Sequence, residues 1–185
     1  MTTHSEESVE REFKFTLDSL ESMRERLIDL EAERLSAPAM EDNWVLDRDG
    51  ELSAGGRLLR LRKDGKGASM AFKGPASWEG GMKVRVENET RIEDLEETRR
   101  LFENLGFHSV RRYQKVREEW QLGAVTIALD HTSIGDFVEF EGTGAETVAR
   151  RCGFSPKDGE RLTYLGIYDE HRKKNPDLPR DMLLP

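Results

Sequence analysis

In strand after strand of this sequence, long charged side chains occupy every second position. Residues 9–16 (VEREFKFT) set Glu10, Glu12 and Lys14 against Phe13 and Phe15. The pattern returns with Arg60 and Arg62 against Leu59 and Leu61, and with Lys73 against Met70 and Phe72. Next, Lys83, Arg85, Glu87 and Glu89 oppose Val84 and Val86, and Lys115 and Arg117 oppose Val116 and Trp120. Finally Asp130 opposes Val125, Ile127 and Leu129, and Glu139 and Glu141 oppose Val138 and Phe140. Successive residues of a strand point to opposite faces, so each segment has one apolar face and one ionic face.

Two folds satisfy this parity. The simpler is a half-buried sheet with its apolar face under helices and its charges in water. A solvent face usually mixes in Ser, Thr, Asn and Gln, whereas here nearly every strand offers Arg, Lys or Glu. The alternative is a closed barrel with the apolar faces turned outward to helices and the charges lining a lumen. About eight strands suffice to close one with room for a small ligand. Unpaired ions in such a lumen cost several kcal/mol each, so cross-pairing, water and a charged ligand must offset the cost. Arg and Lys suit a ligand with several negative charges. The carboxylates repel that ligand unless divalent cations lie between, and hard oxygen donors with phosphates select Mg2+ or Mn2+. Charge alone thus points to a polyphosphate-plus-metal site.

The chain organisation is compatible with the barrel. Strands are predicted near 9–16, 43–47, 57–63, 68–74, 82–91, 107–121, 124–130 and 136–141, mostly joined by short turns and so mostly antiparallel. Helices are predicted at 19–34 (N-cap Asp18, ended before Pro38), 93–105, from Thr143 to Gly153, and 160–172. The expected class is α+β, with one domain over residues 1–174 and a tail over 175–185. Charged residues make up 36% of the chain against about 25% in ordinary domains, but the regular apolar periods exclude disorder. A net charge of −8 argues against nucleic acid and anionic membrane as partners. No apolar run approaches the ~20 residues of a membrane span, and Met1 to Glu12 hold no signal-peptide core. The single Cys152 excludes an internal disulfide and a Cys-based zinc site. The expectation is a cytoplasmic protein, monomeric or homodimeric.

Several short runs occur in a telling order. Glu10-Arg-Glu12-Phe-Lys14 fits an ExExK signature. It is followed by Leu59-Arg60-Leu61-Arg62, Phe72-Lys73-Gly74-Pro75, Lys83-Val-Arg85-Val-Glu87-Asn-Glu89, Lys115-Val-Arg117, and Leu129-Asp130 leading to Gly135-Asp-Phe-Val-Glu139-Phe-Glu141. Over residues 9–142 the chain resembles the CYTH superfamily, the triphosphate tunnel metalloenzymes. That group includes class IV adenylyl cyclases, thiamine triphosphatases and inorganic triphosphatases. The resemblance implies an eight-stranded antiparallel tunnel with helices outside. It also implies metal ligation by Glu10, Glu12, Glu139 and Glu141, with Glu87 and Glu89 binding a second metal or orienting basic residues. Triphosphate binding would fall to Lys14, Arg60, Arg62, Lys73, Arg85, Lys115 and Arg117, with Glu12, Lys14 and Arg62 as the candidate catalytic set. Asp130 would support a neighbouring cation or serve a strand-end turn. In one place the chain departs from the family pattern: in Asn43-Trp-Val45-Leu-Asp47, valine takes the position where members often carry tyrosine. A Tyr–Lys base pair is therefore not expected, and a metal-held water is the better nucleophile.

The expected function is metal-dependent hydrolysis of a triphosphate, whether inorganic, thiamine or nucleoside. The alternatives are an adenylyl cyclase and a non-catalytic polyphosphate-binding module. A cyclase needs a base pocket, for which Trp44, Trp78 and Tyr113 are candidates, although packing or loop anchoring is the simpler role for each. The Gly74–Gly81 segment reads as a flap or a plain hairpin loop, Cys152 as a buried structural thiol, and His131 as a turn residue facing away from the lumen.

Overall fold

The computed structural model describes residues 9–185. Its centre is a closed antiparallel barrel. In chain order the elements are β1 (Val9–Leu17), α1 (Leu20–Asp29), β2 (Glu33–Asp47), α2 (Glu51–Ala54), β3 (Leu58–Asp64), β4 (Gly67–Lys73), β5 (Ser77–Glu79) and β6 (Met82–Ile92). They continue with α3 (Leu95–Asn104), β7 (His108–Leu122), β8 (Val125–Thr132), β9 (Gly135–Glu141), α4 (Ala145–Arg151) and α5 (Tyr164–Lys174). The hydrogen-bonded order β1-β9-β8-β7-β2-β3-β4-β6 returns on itself because β6 also pairs with β1, Glu10 opposite Arg85 and Glu12 opposite Lys83. Eight strands therefore form the wall, and the short β5 adds to the edge of β6 beyond the point where β4 ends.

The apolar faces point outward. Phe13, Phe15, Ile127, Leu129, Val138 and Phe140 pack with Met23 and Leu27 of α1 and Val148 and Ala149 of α4. Leu46, Leu59 and Leu61 pack with Leu52 of α2 and Leu95 of α3. The half-buried open sheet is excluded, because the charged faces turn toward the barrel axis. Cys152 is buried in the first of these clusters, as expected of a structural thiol, and burial pushes it up to about 11. Among the described residues no helix is long and apolar enough to cross a membrane. The N-terminal stretch read for a signal peptide lies mostly outside the described residues.

Four expectations of local structure need correction. The first helix ends at Asp29 rather than 34: Glu31 turns to φ 57°, and the Ala32 amide donates back to the Leu27 carbonyl at 2.9 Å. Its cap is Ser19, whose hydroxyl accepts from the Ser22 amide at 3.2 Å, not Asp18. The second strand consequently begins at Glu33 and runs for 15 residues. Pro38 is tolerated within it because it falls in a register shift of the β2–β7 ladder, between Ser36 and Ala39, where a missing donor costs no ladder bond. The last helix starts at Tyr164, capped by Thr163, behind a 3-10 turn at Pro156–Asp158.

The Gly74–Gly81 segment is a hairpin carrying β5. Gly81 is required there, since a Cβ would meet the Pro156 carbonyl oxygen at 2.3 Å. Residues 175–185 are docked rather than trailing. β8 covers β7 only from Val116 onward, and Met182 takes up part of the uncovered edge: its amide donates to Arg112 O at 3.0 Å and its carbonyl accepts from the Gln114 amide at 2.8 Å.

Asp47 closes the end of β2 by accepting from the amides of Arg48 (2.8 Å), Leu52 (2.9 Å) and Ser53 (3.1 Å). Helix α2 has glycine at its N-cap and no side-chain cap of its own, so Asp47 does that work. Asp47→Ala should lower the unfolding free energy by about 1–2 kcal/mol. A chemical denaturation curve superimposable on wild type would refute this role.

Candidate active site

The lumen is a cavity of about 640 Å³. β1 brings Glu10, Glu12 and Lys14 into it, and β3 brings Arg60 and Arg62. β4 contributes Lys73, and β6 contributes Lys83, Arg85, Glu87 and Glu89. β7 adds Lys115 and Arg117, and β9 adds Glu139 and Glu141. Strand parity thus converges every predicted site residue on one cavity except Asp130. That carboxylate turns to the same side but is fully buried beneath Lys115, Arg117 and Tyr164, which cover it from the cavity; it is not at a strand-end turn, because β8 runs on to Thr132. His131, one residue on, faces outside and meets Asp136 at 2.7 Å.

The two ends of the lumen differ. At one end the N-terminus of α5 lies across the barrel. The Tyr164 hydroxyl donates to Asp130 at 2.6 Å, its ring packs edge-on to Phe137 at 5.1 Å, and Lys14 Nζ lies 4.2 Å above it. Lys14 also donates to the Leu162 carbonyl at 3.3 Å. Toward the other end the carboxylates gather. In the wall, Glu12 stands opposite Glu141 in register, with Glu10 two residues along.

The charges are cross-paired. Lys73 donates to Glu10 at 3.0 Å and Arg85 does so at 2.6 Å, while Lys83 donates to Glu12 at 2.6 Å. Arg60 reaches Glu89 at 2.9 Å. Arg117 grips Asp130 with two hydrogen bonds of 2.8 and 2.6 Å, and also contacts Glu139. Lys115 donates to Asp130 at 3.0 Å. Burial alone would raise the pKa of Glu10, but Lys73, Arg85 and Lys83 outweigh it and hold the group far below the usual carboxylate range. Glu139 is held down in the same way by Arg117, Lys115 and Lys14. Glu141 goes the other way. Burial, with Glu10, Glu12 and Glu87 nearby, pushes it up to about 7, and among the described residues no Lys or Arg pairs with it. Glu87 is likewise raised, by burial first and by Glu10.

This imbalance bears on a metal. Among the described residues no three His, Cys, Asp or Glu groups converge tightly enough to enclose an ion as the side chains stand. The chemistry of the donor set nevertheless fits a hard divalent cation: Glu10, Glu12, Glu87 and Glu141 share one region of the wall, and the repulsion of Glu141 by the other three exceeds the attraction of Lys73. Glu139 is more heavily engaged, with Arg117 and Lys14.

Some lumen groups were not assigned a role from sequence. Glu41 is buried, contacts Arg62 at 3.1 Å and Lys115 at 3.5 Å, and is held at about 2; burial would raise it, but Lys115, Arg117 and Arg62 prevail. Asn43 is fully buried and accepts from Arg62 Nε at 2.9 Å. Both follow from alternation once β2 is extended back through residue 41. Of the aromatic candidates for a base pocket, Trp44 lies on the outer face under Arg112 (5.1 Å) and Trp78 is exposed on β5; Tyr113 alone lines the cavity.

Comparison with known proteins agrees with this architecture. A protein of Methanocaldococcus jannaschii, provisionally named an adenylate cyclase, is 28% identical over 134 residues, covering 72% of this chain and 76% of its own. The X-ray structure of a provisionally named adenylate cyclase from Vibrio parahaemolyticus superposes with a TM-score of 0.78 at 22% identity, over 89% of this chain and 99% of that one. A Hippeastrum protein whose structure is described as revealing a dominant triphosphatase activity superposes at 0.64 and 16% identity, over 88% and 96%. The model of the CYTH domain matches residues 8–150. Members of this family are enzymes, adenylyl cyclases and triphosphatases, and are generally dependent on a divalent metal. With its ExExK strand, its closed eight-stranded wall and its paired ionic lumen, the chain belongs to the CYTH domain family.

Proposed function

We propose that the protein hydrolyses a triphosphate with the help of Mg2+ or Mn2+. The observation that carries this reading is the make-up of the cavity: cationic groups from five strands face carboxylates in one lumen, while Trp44 and Trp78 both lie outside it. A triphosphate would exchange with the internal carboxylates as partner of Arg60, Arg62, Lys73, Arg85, Lys115 and Arg117. The guanidinium groups would take phosphate oxygens in pairs. Lys14, beside Glu139 and above Tyr164, would neutralise charge that builds up as the bridging P–O bond breaks. Glu10, Glu12, Glu139 and Glu141 would hold the cation, with Glu87 and Glu89 next to them. When bound, the cation supplies Lewis-acid stabilisation of phosphate oxygens and a lowered pKa for water. The carboxylates would keep the ion at the acidic end, and the basic set would keep the phosphate chain in line with it.

The name of the Methanocaldococcus relative favours a second reading, ATP cyclisation. Tyr113, Tyr164, Leu58 and Leu165 at the end near α5 are the groups available to an adenine. Phosphorus NMR separates the two. The protein should convert inorganic triphosphate, thiamine triphosphate or ATP, with Mg2+ or Mn2+, to orthophosphate and a chain one phosphate shorter. Cyclic AMP and pyrophosphate from ATP would overturn hydrolysis in favour of cyclisation. Tight binding without any product would overturn both in favour of a binding module.

A further inference from the structure

Tyr113 projects from β7 on the same face as Lys115 and lines the cavity, and its hydroxyl has no part in the triphosphate cage described so far. It is buried, with Phe137, Tyr164 and Met182 in the cluster near α5. Charged groups surround it on several sides. From β3 come Arg60 and Arg62, and from β7 itself Lys115. On β2, Asn43 donates to the Tyr113 carbonyl at 3.4 Å, and Glu41 is taken up by Arg62, Lys115 and, at 3.9 Å, Arg117. From α5, the Tyr164 hydroxyl is committed to Asp130 of β8. Burial would raise the Tyr113 phenol, but Arg60, Arg62 and Lys115 outweigh it and bring it down to about 8. A second observation stands beside it: the Arg60 guanidinium lies next to the Tyr113 oxygen, yet its buried Nε makes no hydrogen bond of normal geometry among the described residues. A buried guanidinium N–H without a partner is rare in a folded protein and points to an acceptor that arrives with a ligand.

We propose that Tyr113 and Arg60 Nε together form a phosphate-oxygen site toward the α5 end of the tunnel, and that the neutral phenol is the binding form, so that a polyphosphate entering the tunnel brings a proton onto Tyr113. The proposal rests on the polyphosphate reading of the cavity. Its physical basis is reciprocity. The three cations that favour phenolate in the empty tunnel are the ones the ligand neutralises. Several phosphate charges beside the phenol then favour its protonated form, and what the ligand does to the proton the proton must do to the ligand. The neutral phenol donates a hydrogen bond to a phosphate oxygen, whereas phenolate repels the ligand and occupies Arg60.

The chain has only three tyrosines, so near-ultraviolet absorbance can follow this phenol, with Tyr113→Phe as the difference control. Wild type should show a phenolate step with its midpoint near 8 that Tyr113→Phe lacks. Saturation with a non-hydrolysable, imido-bridged triphosphate should move that step up by about one pH unit or more. Calorimetry with the same compound should find Tyr113→Phe roughly tenfold weaker than wild type near neutral pH. The gap should close above pH 8, where wild-type affinity falls by up to about tenfold per pH unit and the variant's does not. A step that stays in place under saturating ligand would overturn the proposal, as would parallel pH profiles for the two proteins. The shift of the wild-type step needs no substitution, so it decides the matter even if Tyr113→Phe folds poorly. Absence of saturable binding by wild type at neutral pH would fell the polyphosphate reading itself, and is distinct from binding without a shift.

Discussion

Asp130→Ala is expected to cost about 3–5 kcal/mol of folding stability. The carboxylate has no solvent exposure and accepts from Lys115, twice from Arg117, and from the Tyr164 hydroxyl. Deleting it leaves two cations in a crowded ionic lumen with one anion fewer, and leaves a buried hydroxyl without its acceptor. Breaking a buried pair on one side only is costly because the remaining charge has been stripped of water and has nothing in exchange. A domain of this size holds roughly 5–15 kcal/mol in all, so the loss should lower the melting temperature by roughly 6–20 °C. His131→Ala, one residue on but on the exposed surface, should stay within about 0.5 kcal/mol of wild type. Equal melting temperatures for Asp130→Ala and His131→Ala would show that Asp130 does not organise the cage.

The second large effect concerns turnover rather than stability. Glu12→Gln should reduce kcat on the best triphosphate substrate by about a hundred- to a thousandfold, equivalent to about 3–4 kcal/mol of transition-state stabilisation. The amide keeps the shape of the side chain and can still accept from Lys83, which Glu12 now meets at 2.6 Å, so the barrel should stay closed. With one carboxylate charge removed from the lumen, affinity for metal-free triphosphate should hold or rise. A fall in kcat without a rise in KM would therefore separate a metal-holding carboxylate from a residue that merely positions the substrate. Wild-type turnover at matched Mg2+ would refute the assignment of Glu12.

The sequence was most informative where strands alternate without interruption. In β1, β6 and β9 period two alone decides which of Phe13, Glu12, Val84, Arg85, Phe140 and Glu139 face outward and which face the lumen, and the structure follows it. Parity could not say whether the sheet closes, because closure lies in the β1–β6 pairing, which joins segments distant in the chain. It also failed in β2. The apolar stripe of Leu20, Met23, Leu27 and Leu30, with Pro38 beyond it, favours a longer helix and a shorter strand than the structure has. Nothing local revealed that Glu31 would turn into the left-handed region and let β2 begin at Glu33. The lumen position of Glu41 depends on that half-strand. The docking of Met182 on β7 was invisible for a related reason: it answers a vacancy left by the shortness of β8, which is a property of three elements together.

The double pairing of β1 sets the order in which this molecule can form. β2 to β4 and β7 to β9 are each joined through neighbours in the chain, whereas β2 must find the distant β7, and β1 must find β6 on one side and β9 on the other. Loop-closure entropy makes such distant contacts late and slow, so barrel closure should be the rate-limiting event of folding, on a scale of roughly milliseconds to seconds. Until it happens the future lumen is a water-bathed ionic surface, and its salt bridges have nothing to shield them. The interior of this protein is therefore the last part to become an interior, and a chain waiting at that stage is protected from sticking to its neighbours by the very charges that later grip the ligand.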